Sequence, residues 1–305
     1  MTRKTLGGSE LEVSRLALGS WRTFERITRA DGLAVMRAAR EHRLNFLDDA
    51  RYDDETGTAP IPTGYSEVRF GELFRAAGCD RADTVVSNKL RWEFWPRQSA
   101  AAELEASLAR MGFDYIDLIY ANPPPERLGL AEMVGAVGEL ISSGKARAWG
   151  IVNWPARAFL EATRAAEEQG VPPPCAAQLP YSLIQRDWVE SAEMTTALES
   201  SGAGVVASYV MAGGVLTGKY DAGAATGRAT GQLDDPRYAV AREQGRRLHA
   251  VAEEVGVSAA ALAIAFALAN PSVASVLFGA TSPAHIAENV TSLEVDAATV
   301  QRIAG

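Results

Sequence analysis

Short apolar, β-branched runs alternate along this chain with longer stretches in which apolar residues return at helical spacing. The first run is Leu16–Gly19, and Asp31–Glu41 behind it predicts a helix. The pairing recurs as Leu44–Asp48 with Ser66–Ala77, Thr84–Lys89 with about Gln98–Met111, and Tyr115–Tyr120 with Leu130–Ser142. It continues as Ala146–Ile151 with Pro155–Gln169, and Cys175–Gln178 with Val189–Ser200. Gly204–Ser208 with about Arg237–Val255 and Ala274–Phe278 with Pro283–Asn289 complete the series. Ahead of them, Lys4–Ser14 has two short arms around Gly7 and Gly8, which predicts a small hairpin. Eight strand–helix units without an intervening linker predict an α/β fold, a (β/α)8 barrel forming one domain over residues 1–305. A doubly wound sheet is the competing topology, but no Gly-rich first turn supports it.

Two segments break the rhythm, residues 51–65 after the second strand and residues 220–237 after the seventh. Long loops in compact domains are usually functional or mobile, and these fall where the strands end, the face on which barrels build their sites. The strand ends carry Asp48-Asp49, Asn88-Lys89, Asn122, Asn153-Trp154, Gln178, Ser208-Tyr209 and Gly279-Ala280. Lys89 closes an otherwise apolar run, and a buried lysine needs a partner, which Asp48 could supply. Residue types and spacing alone leave two readings of that pair: a structural ion pair at the barrel end, or an element of a catalytic site.

Charge and composition narrow the partners. With 30 Lys+Arg against 38 Asp+Glu the net charge is −8, which argues against nucleic acid or an anionic membrane surface. No apolar run approaches the ~20 residues of a membrane span, and the N-terminus shows no signal-peptide core. Cys79 and Cys175 stand far apart and form no CxxC, so a reduced cytoplasmic protein is the expected context. The three histidines lie outside metal-ligand spacing, and no metal site is expected. A GxSxG elbow, a P-loop and a GxGxxG turn are all missing, so a bound nucleotide would be held by other means.

Seven ordered motifs then carry a resemblance. They are Phe46-Leu-Asp-Asp-Ala50, Tyr65-Ser-Glu67 with Phe70-Gly71, Lys89, Gly144–Asn153, Gln178 with Tyr181-Ser-Leu183, Val206–Tyr220, and Phe278–Pro283 with Glu288-Asn289. In register along most of the chain, they resemble the aldo-keto reductases, barrel enzymes that reduce carbonyls with a nicotinamide cofactor. The resemblance implies a catalytic set of Asp48, Lys89 and a tyrosine acid, with Asn122 where the family usually has histidine. A phenol is a weak acid at neutral pH; a neighbouring ammonium favours its ionised form, and a carboxylate keeps the ammonium in place. Tyr52 is favoured as the acid and Tyr65 is the alternative, because the loop between them displaces the family's spacing. An amide at Asn122 donates a hydrogen bond but exchanges no proton. The potassium-channel β-subunits, a branch of the family, are similar in having asparagine there.

For the cofactor, the resemblance implies Asn153 and Gln178 at the nicotinamide carboxamide, with Ser20 and Trp21 nearby. Ser208 occupies the position of the usual stacking aromatic, with Tyr209, Val210 and Met211 after it. Gly213, Gly214, Leu216, Thr217 and Lys219 fall along the pyrophosphate, where glycine permits close backbone approach. Gly279, Ala280, Thr281, Ser282 and His285 lie at the start of the last helix, suited to a phosphate, and Glu288 and Asn289 at the adenine. NADP is the expected cofactor and NAD the alternative. Trp21, Trp92, Trp95 and Trp154 all fall just past strand ends, which predicts an aromatic mouth and a bulky or planar carbonyl substrate. The expected function is carbonyl reduction of an aldehyde, a ketone or an imine by a cytoplasmic enzyme. The alternatives are a nicotinamide-binding redox sensor with slow turnover and a Schiff-base lyase acting through Lys89.

Overall fold

A computed structural model describes residues 2–220, 229 and 235–304. A two-stranded antiparallel hairpin, β1 (Arg3–Thr5) and β2 (Glu12–Ser14), precedes the barrel. Then follow β3 (Leu16–Gly19), α1 (Arg29–Glu41), β4 (Phe46–Asp48), α2 (Tyr65–Ala76), β5 (Val85–Leu90), α3 (Ala100–Met111), β6 (Ile116–Ala121) and α4 (Leu130–Ser142). The second half comprises β7 (Ala146–Val152), α5 (Ala156–Gln169), β8 (Ala176–Pro180), α6 (Asp187–Glu190), α7 (Ala192–Ser201) and β9 (Gly204–Ser208). It ends with α8 (Pro236–Val255), α9 (Ala259–Ala269), β10 (Val273–Phe278), α10 (Pro283–Val290) and α11 (Ala297–Ala304). Strands β3 to β10 pair in parallel and in chain order, and β10 closes on β3. The expected (β/α)8 barrel with an N-terminal hairpin is the fold.

The twofold alternation of a strand decides what faces the barrel interior. Ala17, Phe46, Val85, Leu118, Tyr120, Val152, Ala176, Val206 and Ala274 belong to one buried cluster, the barrel interior. Their strand neighbours Leu16, Leu18, Leu47, Val86, Ile119, Ile151, Ala177, Val205 and Val273 pack outward against the helices. Two steps along from Phe46, Val85 and Ala176 stand Asp48, Ser87 with Lys89, and Gln178, so the same parity carries these polar side chains to the interior at the C-terminal end.

Three elements differ from expectation. The stretch Val189–Ser200 is two helices, because Ser191 adopts extended geometry (ψ 147°) and caps α7 by accepting from Met194 N. Helix α9 was not expected: its residues are apolar on every side, so no helical period shows, and nearly all are buried. α11 was also unforeseen. Of the unusual segment 220–237, residues 221–228 and 230–234 lie outside the described residues.

Candidate functional site

At the C-terminal mouth, Lys89 Nζ lies 2.6 Å from Asp48 Oδ2 and 3.4 Å from the Tyr52 hydroxyl. Both charged side chains are deeply buried, and the register aligns Asp48 with Ser87 on the adjacent strand. Ser87 Oγ donates to Asp48 Oδ1 at 2.6 Å and Gln178 Nε2 reaches the same oxygen at 3.3 Å. The carboxylate therefore has donors on both oxygens, which fixes its plane and the ammonium it holds.

The loop of residues 51–65 decides which tyrosine reaches the lysine. It folds back on itself, with Asp54 N donating to Pro62 O and Gly64 N to Tyr52 O, each at 2.8 Å. An isolated antiparallel bridge joins Asp53 to Thr63. Tyr52 and Tyr65 thus stand at the two feet of one closed excursion. Tyr52 turns to Lys89, whose ammonium also lies 5.8 Å from its ring; Tyr65 opens α2 and is half-buried. Asn122, half-buried, follows β6, its backbone N donating to Leu90 O at 3.0 Å.

The four tryptophans divide. Trp21 is 38% exposed and Trp95 half-buried, but Trp92 and Trp154 are fully buried. Their indoles serve the strand end instead of the mouth: Trp92 Nε1 donates to Asn122 O at 3.0 Å and Trp154 Nε1 to Ala121 O at 2.9 Å. Trp92 and Trp154 are therefore withdrawn from the expected aromatic mouth, whereas Trp21, Trp95 and neighbouring Phe94 keep accessible surface. Position past a strand end does not reveal which way an indole turns. Burial followed because each ring satisfies its N–H on a carbonyl.

Asp49, one residue beyond Asp48, has the opposite parity. It faces outward, fully buried, accepting from Ser20 Oγ, and its Oδ2 has no hydrogen-bond partner among the described residues. Burial, then the nearby Glu67 carboxylate, pushes the Asp49 carboxyl well above the usual carboxylate range, against the pull of the Ser20 hydroxyl. Glu67 in turn accepts from Asn88 Nδ2 (2.9 Å) and Arg110 Nε (2.5 Å), behind the strands. Tyr120, inside the barrel, is likewise pushed far up by burial and then by Asp48.

A cleft of about 960 Å³ lies past the ends of β3, β9 and β10, lined by none of Asp48, Tyr52, Lys89 and Asn122. Tyr209, Val210, Met211, Gly213, Gly214, Thr217 and Lys219 form one wall, with Gly279, Thr281, His285, Glu288 and Asn289 at the far end. Of the other expected cofactor residues, Leu216 and Ala280 are buried behind these walls, and Ser282 caps α10 by accepting from His285 N. Ser20, Trp21, Asn153, Gln178 and Ser208 do not line the cleft; Asn153 is exposed at φ 57°. Tyr209, not Ser208, presents a ring to it, with its hydroxyl 2.8 Å from that of Tyr238. Gly213 (φ 68°) and Gly214 (φ 90°) adopt left-handed backbone, and a Cβ on Gly214 would meet Lys219 Cε at 2.7 Å. Such a backbone cradle beside a lysine, opposite a capped helix start, fits a diphosphate-bearing dinucleotide. Arg22 and Arg26 also line the cleft. Sequence reasoning passed over them, although two arginines just past the first strand of an acidic chain were the available signal.

Among the described residues, no group of three or more His, Cys, Asp or Glu side chains could hold a metal, and no single helix is long and apolar enough to cross a membrane. The sequence model of the Aldo/keto reductase family matches residues 15–305. A probable voltage-gated potassium channel subunit beta of Oryza sativa subsp. japonica is 33% identical over 97% of this chain and 92% of its own. A protein of the same description from Arabidopsis thaliana is 31% identical over the same shares.

Proposed function

The chain belongs to the aldo/keto reductase family, a family of oxidoreductases, and on that premise we propose that it reduces a carbonyl with NADPH, Tyr52 being the proton donor. The observation that carries this reading is the convergence of Tyr52, Lys89 and Asp48 on one buried ammonium. When bound, the nicotinamide supplies the hydride. Tyr52 donates its hydroxyl proton to the substrate oxygen as that oxygen gains charge. Lys89 stabilises the negative charge left on the phenolic oxygen, and Asp48, held by Ser87 and Gln178, keeps the ammonium aimed. Half-buried Tyr52 recovers its proton from water. The Asn122 amide donates to the same substrate oxygen without exchanging a proton.

The dinucleotide would be held by Gly213, Gly214, Thr217 and Lys219 at its phosphates and by Glu288 and Asn289 at its adenine, with Tyr209 on the same wall. The resemblance alone puts Asn153, Gln178 and Ser208, outside that lining, toward the nicotinamide. NADP is preferred to NAD on the resemblance, and Kd values for both reduced forms decide between them. Exposed Trp21 and Phe94 and half-buried Trp95 favour a bulky or aromatic aldehyde, ketone or imine. The free thiols of Cys79 and Cys175 agree with a cytoplasmic setting.

A second reading is a nicotinamide-binding subunit with slow turnover, favoured by Asn122 and by relatives described as probable voltage-gated potassium channel subunits beta. Following reduced-nicotinamide absorbance over a panel of aldehydes, ketones and imines separates the two. Consumption that ceases in Tyr52→Phe supports the reductase. Tight binding without consumption across the panel supports the subunit, and undiminished turnover in Tyr52→Phe with loss in Tyr65→Phe overturns the choice of acid.

A further inference from the structure

Arg22 and Arg26 lie in the loop between β3 and α1, and both guanidinium groups converge on a single carboxylate oxygen. Glu55 Oε2, on the 51–65 loop, is 2.6 Å from Arg22 Nη2 and 2.7 Å from Arg26 Nη2. Both arginines line the dinucleotide cleft together with Gly213, Gly214 and Lys219. Arg22 holds a left-handed backbone (φ 52°), unusual for a side chain of its size. Its Cζ lies 5.0 Å over the Trp21 ring, and its Nε is buried with no hydrogen-bond partner among the described residues. A residue in a sparsely populated conformation, braced by an indole and a carboxylate, is a cation held in advance at a fixed place.

One oxygen shared by two guanidiniums is the geometry in which arginine pairs grip phosphate oxygens. We propose that Arg22 and Arg26 are the clasp for the diphosphate of the dinucleotide, and that Glu55 is the internal anion they exchange for it. The assignment rests on the proposed dinucleotide occupancy of the cleft. It also answers an electrostatic need. The chain carries −8 overall, and Glu253 and Glu288 line the same cleft, so an anionic ligand requires concentrated local cations. Arg26 has a second acidic neighbour, Glu25, with Nε 3.4 Å from Oε1, which keeps its guanidinium near the cleft when Glu55 is displaced. Because Glu55 competes for the same two groups, it lowers the affinity that the arginines confer. It also ties the position of the loop that bears Tyr52 to diphosphate binding.

The test is a fluorescence titration of NADPH onto the intact protein, its Arg22→Gln, Arg26→Gln and Glu55→Gln variants, with Tm measured for each and inorganic pyrophosphate as competitor. Each arginine variant is expected to weaken NADPH about tenfold, the scale of one charged hydrogen bond, and to flatten the salt dependence of Kd. Glu55→Gln is expected to tighten NADPH roughly threefold, as removal of a surface-level ionic competitor should. Pyrophosphate should displace NADPH less well from the arginine variants and better from Glu55→Gln. Arg22→Gln removes one ion pair to Glu55, Arg26→Gln removes those to Glu55 and Glu25, and Glu55→Gln removes both pairs to the arginines, so every variant should lose some Tm, whereas affinity moves in opposite directions. If Kd is unmoved, or shifts the same way in all three, the cluster is only a strap between loops and the proposal fails. It fails too if NADPH Kd holds while the arginine variants raise KM for a carboxylate-bearing carbonyl over a neutral one, which would give the arginines to the substrate. A parent protein that binds neither NADPH nor NADH overturns the functional reading and this assignment together; normal parental binding with unresponsive variants overturns this assignment alone.

Discussion

The floor and the rim of the mouth are built on opposite terms. On the floor, Asp48 and Lys89 project from paired strands, with 2% and 9% of their surfaces exposed, and each is fixed by neighbours on adjacent strands. On the rim, Arg22, Arg26 and Glu55 stand on loops at the surface, and Trp21 and Tyr209 are more than a third exposed. Chemistry that needs a proton donor within a fraction of an ångström gains from rigid strands. Recognition of a long, flexible dinucleotide gains from side chains that can exchange partners. The division implies that floor substitutions strike turnover and stability together, whereas rim substitutions act chiefly on affinity, with only the small stability cost of lost surface ion pairs.

The sharpest break of that division is Lys89→Met. Removing the ammonium should lower kcat by about 10³-fold, the scale of lost electrostatic and acid–base assistance, with NADPH Kd nearly unchanged. It also leaves Asp48 buried without its counter-ion, a defect that typically costs about 3–5 kcal/mol, so Tm should drop markedly. Adding Asp48→Asn removes the stranded charge and should restore most of the Tm but none of the turnover, as a steady-state assay beside thermal unfolding would read out. If Lys89→Met keeps its rate, the pair is a structural bridge at the barrel end and the floor performs no chemistry.

The floor was also the more readable region in the sequence. Parity along a strand is a local property, so Asp48, Lys89 and Gln178 could be placed at strand ends before any coordinates, and Leu16–Gly19 and Gly204–Ser208 have the expected bounds. Where periodicity vanishes the reading stops: α9 is apolar on all faces and offers no period, and Ser191 divides one expected helix by its backbone angle. The rim depends on contacts between distant loops. Nothing local to Arg22 or Arg26 announces Glu55, and nothing local to Trp92 or Trp154 shows that each indole turns inward to a carbonyl.

Trp154→Phe and Trp21→Phe test the division with one chemical change made on each side. Phenylalanine at 154 removes the donor to the Ala121 carbonyl in a fully buried place, at a cost of about 1–3 kcal/mol. Because that carbonyl precedes Asn122, kcat should fall roughly tenfold with the shift of the amide, a small misplacement effect. The same change at Trp21 should leave stability within ~0.5 kcal/mol of the parent and act on KM for bulky carbonyls. Equal Tm losses at both positions would show that the rim, too, is held by packing.

The smallest effect concerns the carboxyl that shares the floor's sequence but not its face. Asp49 has the opposite strand parity to Asp48, and burial, with Glu67 nearby, holds its carboxyl well above the usual range against the weaker pull of Ser20 and Lys89. The folded chain therefore binds this proton more tightly than the unfolded chain, where an aspartate titrates near ~3.9. As pH rises from there through the raised folded value, the unfolded chain has released the proton and the folded one has not. Stability must then fall with rising pH, with a limiting slope of about 1.4 kcal/mol per pH unit for one proton, and the loss is complete above the folded value. Asp49→Asn keeps an acceptor for Ser20 and removes the titration. Its Tm should match the parent's at acid pH near or below about 3.9 and exceed it by a growing margin, a few degrees at alkaline pH. An unaltered slope in the variant would mean that another group titrates. If the pH profile of kcat shifts along with Tm, the proton on Asp49 is felt at Lys89, and the strand does not insulate its two faces as the parity argument requires.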